Sequence, residues 1–447
     1  MADYRQLLQG AAQRFQLPEG AMERFLERRN RQRRKRQLSV GVVALLVATT
    51  GLWSATVAFR KNAGPTRVES SIDSSTVSRL RLAWKGALLE SGAISEDPPV
   101  VAGGIVYVTS IHPPGVVFAF PAACGTGGVS CRPLWRGPLG KVVLGSGPPL
   151  SSPAYDHGFV YVSSSRLFAF AAACGTGDAI CRPAWKSPEA PAFRYSTPAA
   201  GGGFVYVTSG NKLYAFREGC WTQNAVCQPA WTGPATGSDQ APTVAALVYV
   251  TSSNGLYAFR PQCSTAVCRP LWTASVPSAV SAAVGEGFVY VSTTDGRLVA
   301  FPAECRTDGA PCRPLWSARI GNSVPATSPV VAGGVVYVAS DRLYAFPARC
   351  PNGGAPCGLL WRGPVQPLFT DRAWAQPAVV NDVVFTATDR PYAFMFGCGA
   401  GGMTCRPLWV GPKAPGGGNR YFAPSATDKE LFMTDGYLTA YSLPKTR

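Results

Sequence analysis

The chain has 447 residues and a formal charge of +17, with 46% apolar residues, 48 Gly and 39 Pro. That apolar content excludes a mostly disordered chain, and the Gly and Pro content points to many turns between short elements, a β-rich composition. The charge excess does not indicate nucleic-acid binding: seven basic residues sit between Arg28 and Arg36, directly before an apolar run, where they set membrane orientation.

Residues 1–37 read as a basic cytoplasmic tail with two short amphipathic helices. Leu7, Leu8, Ala11, Ala12 and Phe15 form one apolar stripe, and Met22, Phe25 and Leu26 resume it after Pro18 and Gly20. Residues 38–59 carry no charge and are long enough, at about 1.5 Å per residue, to cross a hydrocarbon core of about 30 Å. They predict a transmembrane helix with the N-terminus inside and the bulk of the chain outside, because the Arg28 to Arg36 cluster outweighs Arg60 and Lys61. The competing reading is a cleaved signal peptide with a poor site at Thr56, Val57 and Ala58. Its n-region would be unusually long and its apolar run exceeds the usual ~7–15 residues. Residues 60–78 are polar and Ser-rich and read as a flexible tether.

From residue 79 to 447 the chain repeats itself. Eight tryptophans, Trp84, Trp135, Trp185, Trp231, Trp272, Trp316, Trp361 and Trp409, recur at intervals of 41 to 51 residues. Each interval holds a short strand such as Ser328 to Val331, a Gly-rich turn, an alternating strand such as Val335 to Ser340, a third strand such as Arg342 to Phe346, and the Trp strand. One four-stranded blade per repeat fits this period. Leu80 to Trp84 supplies a Trp strand without predecessors, and Leu431 to Tyr441 supplies the predecessors without a Trp. The N-terminal strand is therefore expected to complete the last blade and close the ring, which also removes an open sheet edge.

All 14 cysteines fall between third strands and Trp strands, in seven local pairs: Cys124/Cys131, Cys174/Cys181, Cys220/Cys227, Cys263/Cys268, Cys305/Cys312, Cys350/Cys357 and Cys398/Cys405. Structural zinc usually takes tighter Cys spacings, often with His, and the chain has only His112 and His157. Seven local disulfides pinching loops at the exposed blade rim, and an oxidising, extracytoplasmic compartment, are expected. A redox switch is the alternative, but no pair has a special charged surrounding.

The repeat, with its Val-Tyr-Val strand, Leu-Tyr-Ala-Phe strand and closing Leu-Trp, resembles the pyrroloquinoline-quinone-type propeller family, and within it the outer-membrane-protein assembly lipoprotein. The resemblance implies an all-β, eight-bladed propeller of four-stranded blades in which an Ala on the third strand faces the Trp of the fourth. The matching pairs are Ala119 with Trp135, Ala169 with Trp185, Ala215 with Trp231, Ala258 with Trp272, Ala300 with Trp316, Ala345 with Trp361 and Ala393 with Trp409. Ala440 takes Trp84 through closure. The chain departs from the family's usual connection before the Trp, where the cysteine pair lengthens the loop.

Some members of that family are dehydrogenases carrying pyrroloquinoline quinone with calcium near the axis, often beside an adjacent-cysteine disulfide. This sequence has no such cysteine pair, no C-x-x-C-H haem site and no convincing set of ligand carboxylates. His112 and His157 read as solvated turn residues. A binding role is therefore expected, without cofactor or metal. Candidate contacts are the residues preceding the first strands, which should gather at one mouth of the channel: Glu96, Asp97, Arg194, Tyr195, Asp239, Asp371, Arg372, Trp374, Arg420 and Tyr421. Their mixed charge and aromatic character suit a protein. The Arg after the second cysteine, as in Arg132, Arg182, Arg269, Arg313 and Arg406, adds positive charge suited to an anionic envelope polymer. The leading reading is a membrane-anchored, extracytoplasmic, non-catalytic scaffold. A quinone-dependent oxidoreductase and a transmembrane sensor are its alternatives.

Overall fold

A strand whose two faces are both covered by neighbouring sheets is apolar throughout. Val106, Tyr107 and Val108 show the result, each almost fully buried. The computed structural model describes residues 71–86, 98–110, 115–140, 151–192, 194–220, 225–238, 240–305, 311–321, 326–350, 356–364, 375–414 and 422–444. Within them the elements are short strands and one 3-10 turn, Val77–Arg79. No helix among the described residues is long and apolar enough to cross a membrane. The expected tail 1–37 and span 38–59 lie outside the described residues.

The strands form eight sheets, each built on four antiparallel strands, the eight expected blades. Blade 6 is typical, with strands Val330–Ala332, Val335–Ala339, Leu343–Pro347 and Trp361–Arg362. The first strands neighbour one another in an unbroken cycle, blade 8 returning to blade 1, so they line a central channel. The chain closes the ring as expected: Arg81–Gly86 pairs antiparallel with Leu438–Ser442 as the fourth strand of blade 8.

All eight Ala and Trp partners stand directly opposite each other in register. The small Ala leaves room for the indole to lie across the sheet and reach the next blade. Trp135 contacts Tyr107 of its own blade at 6.0 Å between ring centroids and Phe170 of the next at 6.0 Å. Its surroundings mix both blades, with Val117 and Ala119 from blade 1 and Val160, Val162 and Phe168 from blade 2. Trp185, Trp231, Trp316 and Trp409 are buried in the corresponding layers. The hydrophobic core is thus a series of inter-blade layers, as expected of a stacked repeat.

Three corrections concern the cysteine loops. First, they do more than tighten their own blade. Val129–Cys131, Ala179–Ile180, Ala225–Val226 and Met403–Thr404 each add a fifth, parallel strand to the Trp strand of the preceding blade. The second cysteine delivers its backbone N–H to that strand. Cys181 donates to Arg136 at 2.8 Å, Cys227 to Lys186 at 2.8 Å and Cys268 to Thr232 at 2.7 Å. Cys312 donates to Thr273 at 2.6 Å, Cys357 to Ser317 at 3.0 Å and Cys405 to Arg362 at 2.8 Å.

The second correction is that the pair is not a wholly exposed rim staple. Cys131, Cys181, Cys227, Cys268, Cys312, Cys357 and Cys405 are all buried, each within an inter-blade layer. Cys227 packs with Trp185 and Phe216 between blades 2 and 3, and Cys405 with Trp361 and Phe394 between blades 6 and 7. The parallel pairing draws the second cysteine under the neighbouring Trp strand, where its sulfur serves as a small apolar group. Its partner stays nearer the surface, as Cys220 and Cys398 do at the margins of the same two layers.

The third correction is in number. Six of the seven expected disulfides are formed, Cys220 with Cys227 and Cys398 with Cys405 among them, while Cys350 and Cys357 are free thiols. Pro351 directly follows Cys350, where the bonded pairs have Gly, Trp, Ser or Arg, and proline confines the preceding residue to extended backbone. Burial and the neighbouring Cys350 push the Cys357 thiol far up. Denatured without reductant, the chain should therefore give two titratable thiols in a colorimetric thiol assay, and none would mean a seventh bond.

The expected tether of residues 60–78 ends earlier than its composition suggests. Ile72, Val77 and Leu80 are buried against Trp409, Leu431 and Tyr441, at the seam where blade 8 has no cysteine loop to offer. The Ile72 N–H donates to the Asp428 carbonyl at 2.6 Å, and Asn381 Nδ2 donates to the Ile72 carbonyl at 2.7 Å. The Ser, Thr and Asp residues that read as a linker here build a turn: the Asp73 carboxylate accepts the N–H groups of Ser75 and Thr76 at 2.9 Å. Hydrogen bonds from that turn hold the Asp73 carboxyl below its ordinary value.

Candidate functional site

The repeat spends most of its polar groups on joining blades. In five blades the Tyr of the Val-Tyr-Val strand, in a role not legible in the sequence, donates its hydroxyl to a carbonyl just after the third strand of the next blade. Tyr206 reaches Pro261 at 2.9 Å, Tyr249 reaches Ala303 at 3.0 Å and Tyr337 reaches Phe396 at 2.9 Å. The Trp Nε1 competes for the same acceptor: Trp135 donates to Ala172 at 2.8 Å and Trp361 to Phe396 at 3.2 Å. Burial raises these phenols well above the usual tyrosine range. At the other end of the second strand, Thr109, Ser163, Thr208 and Thr251 donate to carbonyls at or just before the next blade's first strand, those of Ser151, Ser196, Gln240 and Val280.

What remains for recognition lies in two places. The first is the channel mouth, a cavity of about 650 Å³ lined by residues of blades 1 to 7. Its described lining is rich in hydroxyls and carboxamides, including Ser151, Ser152, Thr197, Gln240, Thr243, Ser328 and Gln376, with Arg194 as the charged member. Of the ten candidate contacts, Arg194 and Tyr195 are placed at this mouth. Arg194 is half-buried, its carbonyl fixed by the Ser209 hydroxyl at 2.8 Å. Tyr195 borders the cavity but is only 4% exposed. Its ring packs edge-on against Tyr214 and Phe216, and burial pushes its phenol up to about 12, so it is an inter-blade core residue rather than a contact. Glu96, Asp97, Asp239, Asp371, Arg372, Trp374, Arg420 and Tyr421 lie outside the described residues.

The second place is the outer rim. The residue before the second cysteine is a large exposed aliphatic on three consecutive blades: Ile180 is 70% exposed, Val226 47% and Val267 65%. These side chains sit on the outermost strand or bridge of their sheets. The Cys-Arg-Pro arginines Arg132, Arg182, Arg269, Arg313 and Arg406 are exposed on the same loops.

A third feature was hidden in the sequence by the distance between its parts. His157, expected to be solvated, is indeed 73% exposed as a side chain, yet its Nδ1 stands 3.0 Å from Asp156 and 3.3 Å from Glu218, which lies on the neighbouring blade. His157 adopts φ 44°, a left-handed conformation that Gly103, Gly202 and Gly333 meet in other blades. Burial, then the Asp156 carboxyl, raises Glu218 to about 7, with His157 opposing. Among the described residues these three are the group able to hold a metal ion.

A protein-family model, described as outer membrane protein assembly factor BamB, matches residues 41–304. No curated protein sequence matches the chain. Among solved structures, BamB from Moraxella catarrhalis superposes with a TM-score of 0.54 at 14% identity, covering 81% of this chain and 99% of that one. The computationally designed Ika8 protein gives 0.58 at 10% identity, covering 80% and 98%. A quinohemoprotein alcohol dehydrogenase from Pseudomonas putida gives 0.50 at 14% identity, covering 85% and 79%. At these identities the likeness is one of fold.

Proposed function

Since the chain belongs to the family of the outer membrane protein assembly factor BamB, we propose that it is a non-catalytic scaffold that binds protein partners. The observation that carries this reading is the rim of blades 2 to 4. A chain that buries all eight docking tryptophans leaves Ile180, Val226 and Val267 in water, on sheet edges able to take a further strand. Open sheet edges carrying exposed aliphatic side chains are ready to pair with another chain. The channel mouth would add hydrogen bonds and the Arg194 charge, and the rim arginines favour acidic partners or an anionic envelope polymer. Six local disulfides support an extracytoplasmic compartment, and residues 38–59 would anchor the propeller to the membrane.

The quinone-dependent oxidoreductase fits the channel poorly. Calcium beside a quinone needs several oxygen ligands with carboxylates among them, and the described channel lining offers hydroxyls, amides and Arg194 instead. No reaction step is assigned to such a cofactor.

The test replaces Ile180, Val226 and Val267 with Asp together. Because all three are exposed, unfolding should change little. Partners that copurify with the full chain after mild cross-linking should be lost from the variant. Unchanged partner recovery would remove the rim from the binding role.

A further inference from the structure

Residues common to all repeats describe the module, so a local departure from the repeat asks for its own reason. At the position of Glu218 the other blades have Ala122, Ala172, Pro261, Ala303, Ala348, Phe396 and Leu443; at that of Asp156 they have Ala102, Gly201, Val244, Gly285, Ala332, Val380 and Thr427. Neither carboxylate is needed to build a blade or a seam. Yet in one seam, between blades 2 and 3, both appear, with His157 between them.

Two carboxylates face one imidazole, and the adjacent Arg217 is turned onto the Phe204 ring, 5.3 Å from its centroid. Glu218 is only 13% exposed as a side chain, and its Oε1 is buried without a hydrogen-bond partner. The fully buried Tyr161 hydroxyl also lacks one. In five other blades the matching hydroxyl is satisfied by the carbonyl at the position of residue 218; here that carbonyl takes the Trp185 Nε1 at 3.1 Å. Tyr161 therefore brings an unpartnered hydroxyl, 0% exposed as a residue, near enough to Glu218 and Asp156 for their charges to act on it.

We propose that Asp156, His157 and Glu218 form a binding site for a zinc-class divalent cation that clips blade 2 to blade 3. An ion with ligand bonds of about 2.0–2.2 Å in tetrahedral geometry sets its ligands roughly 3.3–3.6 Å apart. His157 Nδ1 already stands 3.0 and 3.3 Å from the two carboxylates, and all three ligand atoms lie within 4.8 Å of one another. One imidazole with two carboxylates favours zinc and its neighbours over calcium, which takes six or more oxygens. The exposed face of His157 leaves a fourth position to water.

The test uses the tag-free full chain with its disulfides intact and with Cys350 and Cys357 alkylated, so that thiols do not bind the probe. Equilibrium dialysis against zinc chloride at about pH 7.5, where the imidazole is free to ligate, followed by elemental analysis, should find one zinc per chain. Glu218→Ala, the residue of four other blades, should weaken binding at least tenfold, as should Asp156→Ala. Glu218→Gln gives the same reading with the side-chain volume kept. Thermal unfolding should shift upward with zinc in the parent chain and not in the variants. No zinc uptake by the parent, uptake unchanged in the Glu218 variants, or preference for calcium would overturn the proposal.

Discussion

Replacing Trp84 with Ala is expected to lower the unfolding free energy by about 3–5 kcal/mol, the range for deleting a buried aromatic side chain. Trp84 is the hinge pin of the ring closure. It is fully buried, donates its Nε1 to the Ala122 carbonyl of blade 1 at 2.8 Å, and places its ring 6.1 Å from Phe120 of blade 1 and 6.0 Å from Phe432 of blade 8. Its strand, drawn from the N-terminal side of the repeats, is the fourth antiparallel strand of blade 8. The indole at Trp272 makes the same kind of contact, 6.0 Å from Tyr249, but its Nε1 has no partner. Trp272→Ala should therefore cost less than Trp84→Ala, and denaturant melts of the two variants check the order. Equal losses would show that the closing strand carries no special share of the ring's stability.

Removing one bonded cysteine pair, as in Cys174→Ser with Cys181→Ser, should cost roughly 2–2.5 kcal/mol by loop-closure entropy. The loss should extend to the neighbouring blade. The loop that Cys174 and Cys181 close also presents Ala179–Ile180 to Trp135 and Arg136 of blade 1, and a looser loop holds that fifth strand less well. Amide exchange at position 181, whose N–H in the parent chain donates to the Arg136 carbonyl, should quicken before the rest of blade 2 opens. The matched change at Cys350 and Cys357 should cost far less, because those thiols are not bonded. The same loss for both pairs would contradict the assignment of six disulfides.

The ring itself was legible because one physical requirement repeats eight times. An indole crossing from blade to blade needs a small residue opposite it, and Ala345 with Trp361 records that need in the sequence as plainly as in the register. Closure by Leu80 to Trp84 followed from counting strands. The rim was less legible. Two-residue strands such as Ala225–Val226 are too short to show alternation, and their partner strand belongs to the preceding repeat. For the same reason the burial of Cys227 and Cys405 was hidden, since the layers that cover them are shared with another blade. Residues 71–78 misled because Ser, Thr and Asp serve equally in linkers and in turns, and burial of Ile72 decides between them. Asp156, His157 and Glu218 were scattered over two repeats, so only the fold joins them. A comparison of aligned repeats for out-of-pattern charges would have marked Glu218. Tyr195 shows the reverse error: an aromatic before a first strand reads as a contact, but its neighbours Tyr214 and Phe216 enclose it.

The claim that the rim of blades 2 to 4 holds protein is tested most directly by placing a photo-cross-linking amino acid at Ile180 in the full chain within its native cells. A second chain carries the probe at Tyr437, an exposed position on blade 8. The account predicts a discrete protein adduct from Ile180 and not from Tyr437. No adduct from Ile180, together with dye reduction by the purified chain on adding pyrroloquinoline quinone and calcium, would contradict it and restore the oxidoreductase reading.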